Sequence, residues 1–193
     1  MNNHFFAYLS RMKLIKRWSL MRNIAPENIA EHSLQAAVIA HALALISNTY
    51  FDDTIDAGAV TQLALFHDAG EVLIGDLPTP VKYFNPQIKA AYGQIEEVAK
   101  RKLLNMLPSE LAEIYYPLFF PAEKDKKQRL VKAADKISAY LKCVEENTAG
   151  NGEFALAEDA ILNELAKYDD LPAVGYFMKH FAPSFCKTLD ELD

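Results

Sequence analysis

The sequence predicts an all-α fold, a single domain over residues 1–193 with roughly seven helices. Apolar residues recur at helical spacing along most of the chain. No run of alternating residues and no turn-linked strand pair interrupts them. Proline and glycine gather in a few short stretches between the periodic ones. The one place left for a short strand is Val72-Leu73-Ile74.

The first helix is expected from Phe5, Tyr8, Leu9, Met12 and Ile15, which share a face. Asn28 followed by Glu31 reads as a capping box. It opens a helix with Leu34, Val38, Ala42 and Leu45 on its apolar stripe, ending near Asn48. Asp56 caps a third helix with Val60, Leu63, Ala64 and Phe66, running up to His67. Gly75 to Pro80 holds one glycine and two prolines and is expected to be a loop. Pro86 opens a helix reaching about Leu107. Pro108-Ser109 begins a shorter one that Pro117 ends or kinks. The segment Pro121 to Lys127 is charged and expected to be exposed. Leu130, Ala134, Ile137, Leu141 and Val144 mark a long helix ending near Gly150. Phe154, Ala157, Ile161 and Leu165 mark the next, and a last one covers Ala173 to Phe181.

The chain has 193 residues, is 51% hydrophobic and 24% charged, which suits one domain with a sizeable core. A formal net charge of -6 argues against a nucleic-acid polymer as partner, because such binding rests on lysine and arginine neutralising phosphates. It leaves a small phosphate ester open. Cys143 and Cys186 form no CxxC pair and no disulfide framework, so a reducing cytoplasm is expected. No signal peptide is read at the N-terminus. The longest nearly apolar run, Ala36 to Ile46, is short of the about 20 residues a bilayer needs, so no membrane is expected.

His67-Asp68 closes an apolar helix just before a glycine-containing break. Imidazole and carboxylate both ligate first-row divalent ions. His32 stands in the first turn of the preceding helix, and Asp135 beside the apolar stripe of the long helix. A carboxylate buried there unpaired is costly. Each has an ordinary reading alone: a surface histidine near a cap, a salt bridge from Asp135 to Lys132 or Lys136. Jointly they give two nitrogens and two or more oxygens from three helices, with positions left for water and substrate. Glu71 lies three residues after Asp68, and shares its face if the helix continues. It suits proton transfer at a nucleophilic water. Asp76, in the adjacent loop, is a second candidate for the site. His41, near its helix's apolar stripe, reads as packed or half-buried.

The order H…HD…D is that of the HD-domain metal-dependent phosphohydrolases. Several stretches resemble the bacterial 5'-deoxynucleotidases of that superfamily. These are His4-Phe5-Phe6-Ala7, Lys16-Arg17-Trp18, Leu20-Met21-Arg22-Asn23, Glu31-His32-Ser33-Leu34-Gln35, His67 to Leu73, Ala139 to Cys143 and Pro183-Ser184-Phe185. The block Gly75-Asp76-Leu77-Pro78-Thr79-Pro80-Val81-Lys82-Tyr83-Phe84-Asn85 is the most specific. The likeness covers nearly the whole chain and weakens from Phe119 to Lys124, where no substrate contact is carried over.

The resemblance implies an HD-domain helical bundle that hydrolyses deoxyribonucleoside 5'-monophosphates, prefers the deoxy sugar, and shows little selectivity for the base. It implies a homodimer and a divalent transition metal, cobalt or manganese. His32, His67, Asp68 and Asp135 are then the metal ligands, and Glu71 belongs to the catalytic site with Asp76. Arg17 contacts phosphate, Trp18 packs on the deoxyribose, and His32, Asp76 and Thr79 also meet substrate. Two other readings stay open at this point. One is another nucleotide phosphohydrolase or phosphodiesterase of the superfamily. The other is a non-catalytic helical protein that binds metal or nucleotide.

Overall fold

The computed structural model describes residues 3–122 and 125–192. Glu123 and Lys124, from the segment expected to be charged and exposed, lie outside the described residues. The helices are α1 Phe5–Leu9, α2 Ile29–Tyr50, α3 Ala57–Phe66, α4 Glu71–Ile74, α5 Thr79–Lys82, α6 Pro86–Leu104, α7 Ser109–Phe119, α8 Lys126–Thr148, α9 Ala155–Leu165 and α10 Pro172–His180. Among the described residues no β-strand is formed beyond one isolated antiparallel bridge, Lys16 to Asn28. The all-α expectation stands, and the described chain divides into two compact units.

The first unit holds residues 3–22, 26–34 and 65–122. Its core is Phe5, Met12, Ile29, Ala69, Val72, Leu103, Leu104, Leu107 and Phe119. Phe5 is fully buried, with its ring 5.1 Å from Tyr115 and 5.9 Å from Phe119. Burying a side chain of that size contributes roughly 1.5–3 kcal/mol. The first helix is shorter than its periodicity suggests. It tightens after Leu9 into a 3-10 turn over Ser10–Leu14, a common way for a helix to end. Val72-Leu73-Ile74, the stretch left open as a strand, is the single-turn helix α4. The expected loop also shortens, because Pro80 sits in the first turn of α5, where its missing N–H costs nothing. Asn85 caps α6 by accepting from the Ile88 N–H at 2.7 Å. Pro117 lies inside α7, which ends two residues later.

The second unit holds residues 23–25, 35–64 and 125–192. Its core draws Ala37, Ala40, Leu43 and Ala44 from α2, Val60 and Ala64 from α3, Leu130, Ala134, Ile137 and Leu141 from α8, and Phe177 from α10. Of the stripe expected on α2, only Ala42 packs against this core. Leu34 and Val38 are each 61% exposed and Leu45 46%. α2 is apolar almost all round, so periodicity cannot choose its inner face. The alanines chose it instead, since small side chains let helices approach closely. His41 is likewise exposed, against the packed reading. By length and composition α2 could cross a bilayer, but 56% of that stretch is buried inside the protein.

Asp56 caps α3 as expected, accepting from the Ala59 N–H at 3.0 Å. Glu146 of α8 is 1% exposed. Burial alone would raise its carboxyl. Hydrogen bonds from Lys142, from Asn151 Nδ2 at 2.7 Å, and from the Ile24 and Ala25 N–H groups at 3.0 Å hold it at about 2. Lys142 also donates to the Ala25 carbonyl, so the segment Asn23–Ala25 is tied down at both polarities.

Candidate active site

Most of the expected site residues lie in the first unit, and a short backbone pairing sets their places. The Arg17 N–H donates to the Glu27 carbonyl at 3.0 Å, and the Ile29 N–H donates to the Ile15 carbonyl at 3.0 Å. Residues 15–17 therefore run antiparallel to 27–29. The next residue, Trp18, has φ 56, in the left-handed region. A bulky side chain there costs about 1–3 kcal/mol and persists only where its surroundings impose it. Glu27, 9% exposed, is one partner of the Trp18 side chain. Its Oε2 accepts from Trp18 Nε1 at 2.9 Å and from Arg17 Nε at 3.0 Å.

Asn28 caps α2 as the sequence indicates. Its Oδ1 accepts from the N–H groups of Ala30 at 3.0 Å and Glu31 at 3.1 Å, and Glu31 Oε2 accepts from the Asn28 N–H at 3.0 Å. That cap fixes His32 in the first turn. His32 is fully buried, which removes the surface reading.

His67 and Asp68 follow the last turn of α3 in a turn closed by Ala69 N–H to Phe66 O at 3.1 Å. Gly70 makes room there, because a Cβ would stand 3.2 Å from the Lys100 side chain, which would have to shift. The two histidines and the aspartate come together. Asp68 Oδ2 lies 3.1 Å from His67 Nε2 and 3.7 Å from His32 Nε2, and the imidazole rings are 5.3 Å apart. Ligands about 2 Å from one first-row ion stand roughly 3 Å from each other, so two imidazole nitrogens around one carboxylate oxygen fit a divalent ion. Arg17 Nη1 reaches the same Asp68 Oδ2 at 3.4 Å.

The helix does not continue from Asp68 to Glu71; it breaks, and Glu71 opens α4 after the turn. Glu71 is still close enough to feel Asp68. It is 6% exposed, and among the described residues its Oε2 has no hydrogen-bond partner. Burial pushes its carboxyl up to about 9, with Asp68 and Asp76 adding to the rise against Arg17 and Lys82. Burial also raises Asp76, most strongly opposed by Arg17. Asp76 is half-buried and follows Gly75, whose φ of 78 suits glycine. Thr79 is exposed at the start of α5. Asp135 lies half-buried on α8 in the second unit, where its neighbour Lys136 pairs with Glu164 at 2.9 Å.

Sequence reasoning missed three residues beside this group. Glu27 is one. Lys82 pairs with Glu96 at 3.0 Å and sits 4.7 Å over the Tyr92 ring, while the Tyr92 hydroxyl donates to the Gly75 carbonyl at 3.2 Å. One face of α6 thus ties both ends of the segment from Gly75 to Lys82. Lys82 was visible inside the specific Gly75 to Asn85 block; Tyr92 carried no signal.

The raised Glu71 carboxyl makes stability depend on pH in the metal-free protein. Unfolded, the group releases its proton near 4.5; folded, near 9. The folded state binds the extra proton across that window, so its stability is full below the lower value and falls as pH rises toward the upper. The melting temperature of metal-free protein is expected to drop between about pH 5 and pH 9, and Glu71→Gln to flatten the decline. Equal slopes for both proteins would show that Glu71 is ionised when folded.

A family model described as "5'-deoxynucleotidase YfbR-like" matches residues 4–185. A 5'-deoxynucleotidase from Shewanella oneidensis is 52% identical over 192 residues, 99% of this chain and 98% of that one. An HD-domain phosphohydrolase from Listeria innocua superposes with a TM-score of 0.83 at 23% identity, over 94% of this chain and 88% of that one. The cyanophage S-2L HD phosphohydrolase DatZ, solved with dA and one catalytic zinc ion, does so with a TM-score of 0.66 at 20% identity, over 94% and 96%. With its H…HD…D residues and a match across nearly its whole length, the chain belongs to the YfbR-like 5'-deoxynucleotidase family.

Proposed function

We propose that this chain hydrolyses deoxyribonucleoside 5'-monophosphates to a deoxyribonucleoside and phosphate, using a divalent metal. The observation that carries the reading is the gathering of His32, His67 and Asp68 around one carboxylate oxygen beside the buried Glu71, in a member of this family. His32, His67, Asp68 and Asp135 are the proposed ligands, so residues 1–193 act as one HD domain. When bound, a divalent ion lowers the pKa of water toward about 7 and takes up charge on the phosphate.

The chain's own groups do the rest. Arg17 presents planar donors to the phosphate, a geometry suited to its oxygens. Trp18 forms the wall against the deoxyribose and excludes a 2'-hydroxyl. Glu71 orients the attacking water and takes its proton. Asp76 and Thr79, on the segment tied to α6, meet the sugar end; Asp76 serves either the 3'-hydroxyl or the leaving oxygen. Cobalt or manganese is the proposed ion. Cys143 is buried and Cys186 exposed, and neither is joined in a disulfide, which accords with a cytoplasmic protein. A homodimer is proposed as well, with the exposed Val38 and Leu45 of α2 as supporting surface. Sedimentation as a single 21.7 kDa species would remove that part.

The test is phosphate release by metal-stripped protein from paired deoxyribo- and ribonucleoside 5'-monophosphates, 3'-monophosphates and a cyclic nucleotide, with and without cobalt or manganese. Release that needs metal and occurs only from the 5'-deoxy members is expected. Release from another member instead would move the substrate elsewhere in the superfamily. No release at all would leave a binding role.

A further inference from the structure

We infer that Glu27 is a positioning residue that sets the orientation of both Arg17 and Trp18, and through Trp18 the preference for a deoxy sugar. The inference rests on the roles proposed above for those two residues. Glu27 is 9% exposed and lies across the short antiparallel pairing from Arg17. A single oxygen, Oε2, takes the Trp18 indole N–H at 2.9 Å and the Arg17 Nε–H at 3.0 Å. Its other oxygen, Oε1, lies 3.9 Å from Nδ1 of the buried His32.

The geometry gives this carboxylate leverage over three neighbours. Arg17 is held by Nε from one side and meets Asp68 through Nη1 at 3.4 Å from the other, which fixes the plane of its guanidinium. Trp18 pairs an unfavourable backbone conformation, φ 56, with an indole pinned at its far end by Glu27. A wall that excludes one hydroxyl works only if it does not move. His32 is a proposed metal ligand, and a carboxylate facing the other ring nitrogen of such a histidine steadies the ring. Without the negative charge of Glu27, the indole N–H and the guanidinium Nε keep at best a neutral amide acceptor, and a hydrogen bond to it is roughly half as strong as one to a carboxylate. Both side chains then gain freedom where substrate would sit.

Trp18 is the one tryptophan in the chain, so its fluorescence reports on the contact directly, without metal or substrate. In metal-free Glu27→Gln, acrylamide quenching of Trp18 should rise. In the metal-loaded variant, the kcat/KM preference for a deoxyribo- over the matching ribonucleoside 5'-monophosphate should fall about 10-fold, the scale of a lost hydrogen bond to a charged group. KM should rise by more than kcat falls. Glu27→Asp keeps the charge and withdraws it by one methylene; it should change both readings in the same direction, by less, and stands in if the glutamine variant does not fold. Unchanged quenching overturns the inference. So does an equal loss of kcat on both sugars with the preference kept, because a merely structural defect would do that. A wild type that hydrolyses neither nucleotide would sink the proposed function alone. Quenching would then still decide the coupling of Glu27 to Trp18: raised supports it, unchanged ends it.

Discussion

Glu71→Gln is expected to lower turnover by about 100- to 10,000-fold, the range for losing a positioned general base, while metal and nucleotide still bind. The change is nearly isosteric, and the site around Glu71 is tight. The side chain is 6% exposed, and it feels the negative charges of Asp68 and Asp76 and the positive charges of Arg17 and Lys82. A buried carboxyl held at about 9 is a poor proton acceptor at neutral pH. After burial, the charge on Asp68 is the largest cause of that rise. Neutralising Asp68 with a cation would lower the Glu71 carboxyl toward the working range, so loss of metal would also disable the base. The measurement is single-turnover phosphate release, run beside metal content and nucleotide binding on the same preparation. An unchanged rate constant would remove Glu71 from the chemistry and leave Asp76 as the remaining carboxylate. A parallel loss of metal would instead make Glu71 part of the ligand set.

The elements that were legible in the sequence are those whose signal is local. Asn28 with Glu31, Asp56 before its helix, and Pro86 at a first turn each act within one turn of backbone, and each does in the structure what its residue type dictates. His32, His67 and Asp68 were legible as a group for a different reason. The order H…HD…D marked them, not any local backbone signal, and the structure sets Asp68 Oδ2 3.1 Å from His67 Nε2 and 3.7 Å from His32 Nε2. What was not legible is tertiary. The inner face of α2 was misread because leucine, valine and alanine all count as apolar, and only the packed core distinguishes Ala40 from Val38. The Lys16 to Asn28 bridge is too short to show any alternation, so nothing marked Glu27 as lying opposite Arg17. Tyr92 reaches Gly75, 17 positions away along the chain, beyond any periodic pattern.

Asp135→Ala is expected to abolish stoichiometric metal binding and, with it, turnover. Losing a carboxylate that supports a ligand from outside typically weakens metal affinity about 10- to 100-fold, and losing a ligand itself should exceed that. His67→Ala should behave alike, and the pair is better suited to the test than His32→Ala. His32 is fully buried, so its removal would open a cavity in the first unit and mix a folding defect with the loss of a ligand. His67 keeps 16% side-chain exposure, and Asp135 is half-buried on a helix whose inner face is carried by Leu130, Ala134, Ile137 and Leu141. Each variant should therefore fold with its metal-free melting temperature close to that of metal-free wild type. Bound metal stabilises only the form that binds it, so added cobalt or manganese should raise the wild-type melting temperature and leave both variants unmoved. If Asp135→Ala still binds one equivalent of metal and turns over, Asp135 is no ligand. The set would then reduce to His32, His67 and Asp68, with Glu71 the next carboxylate to examine.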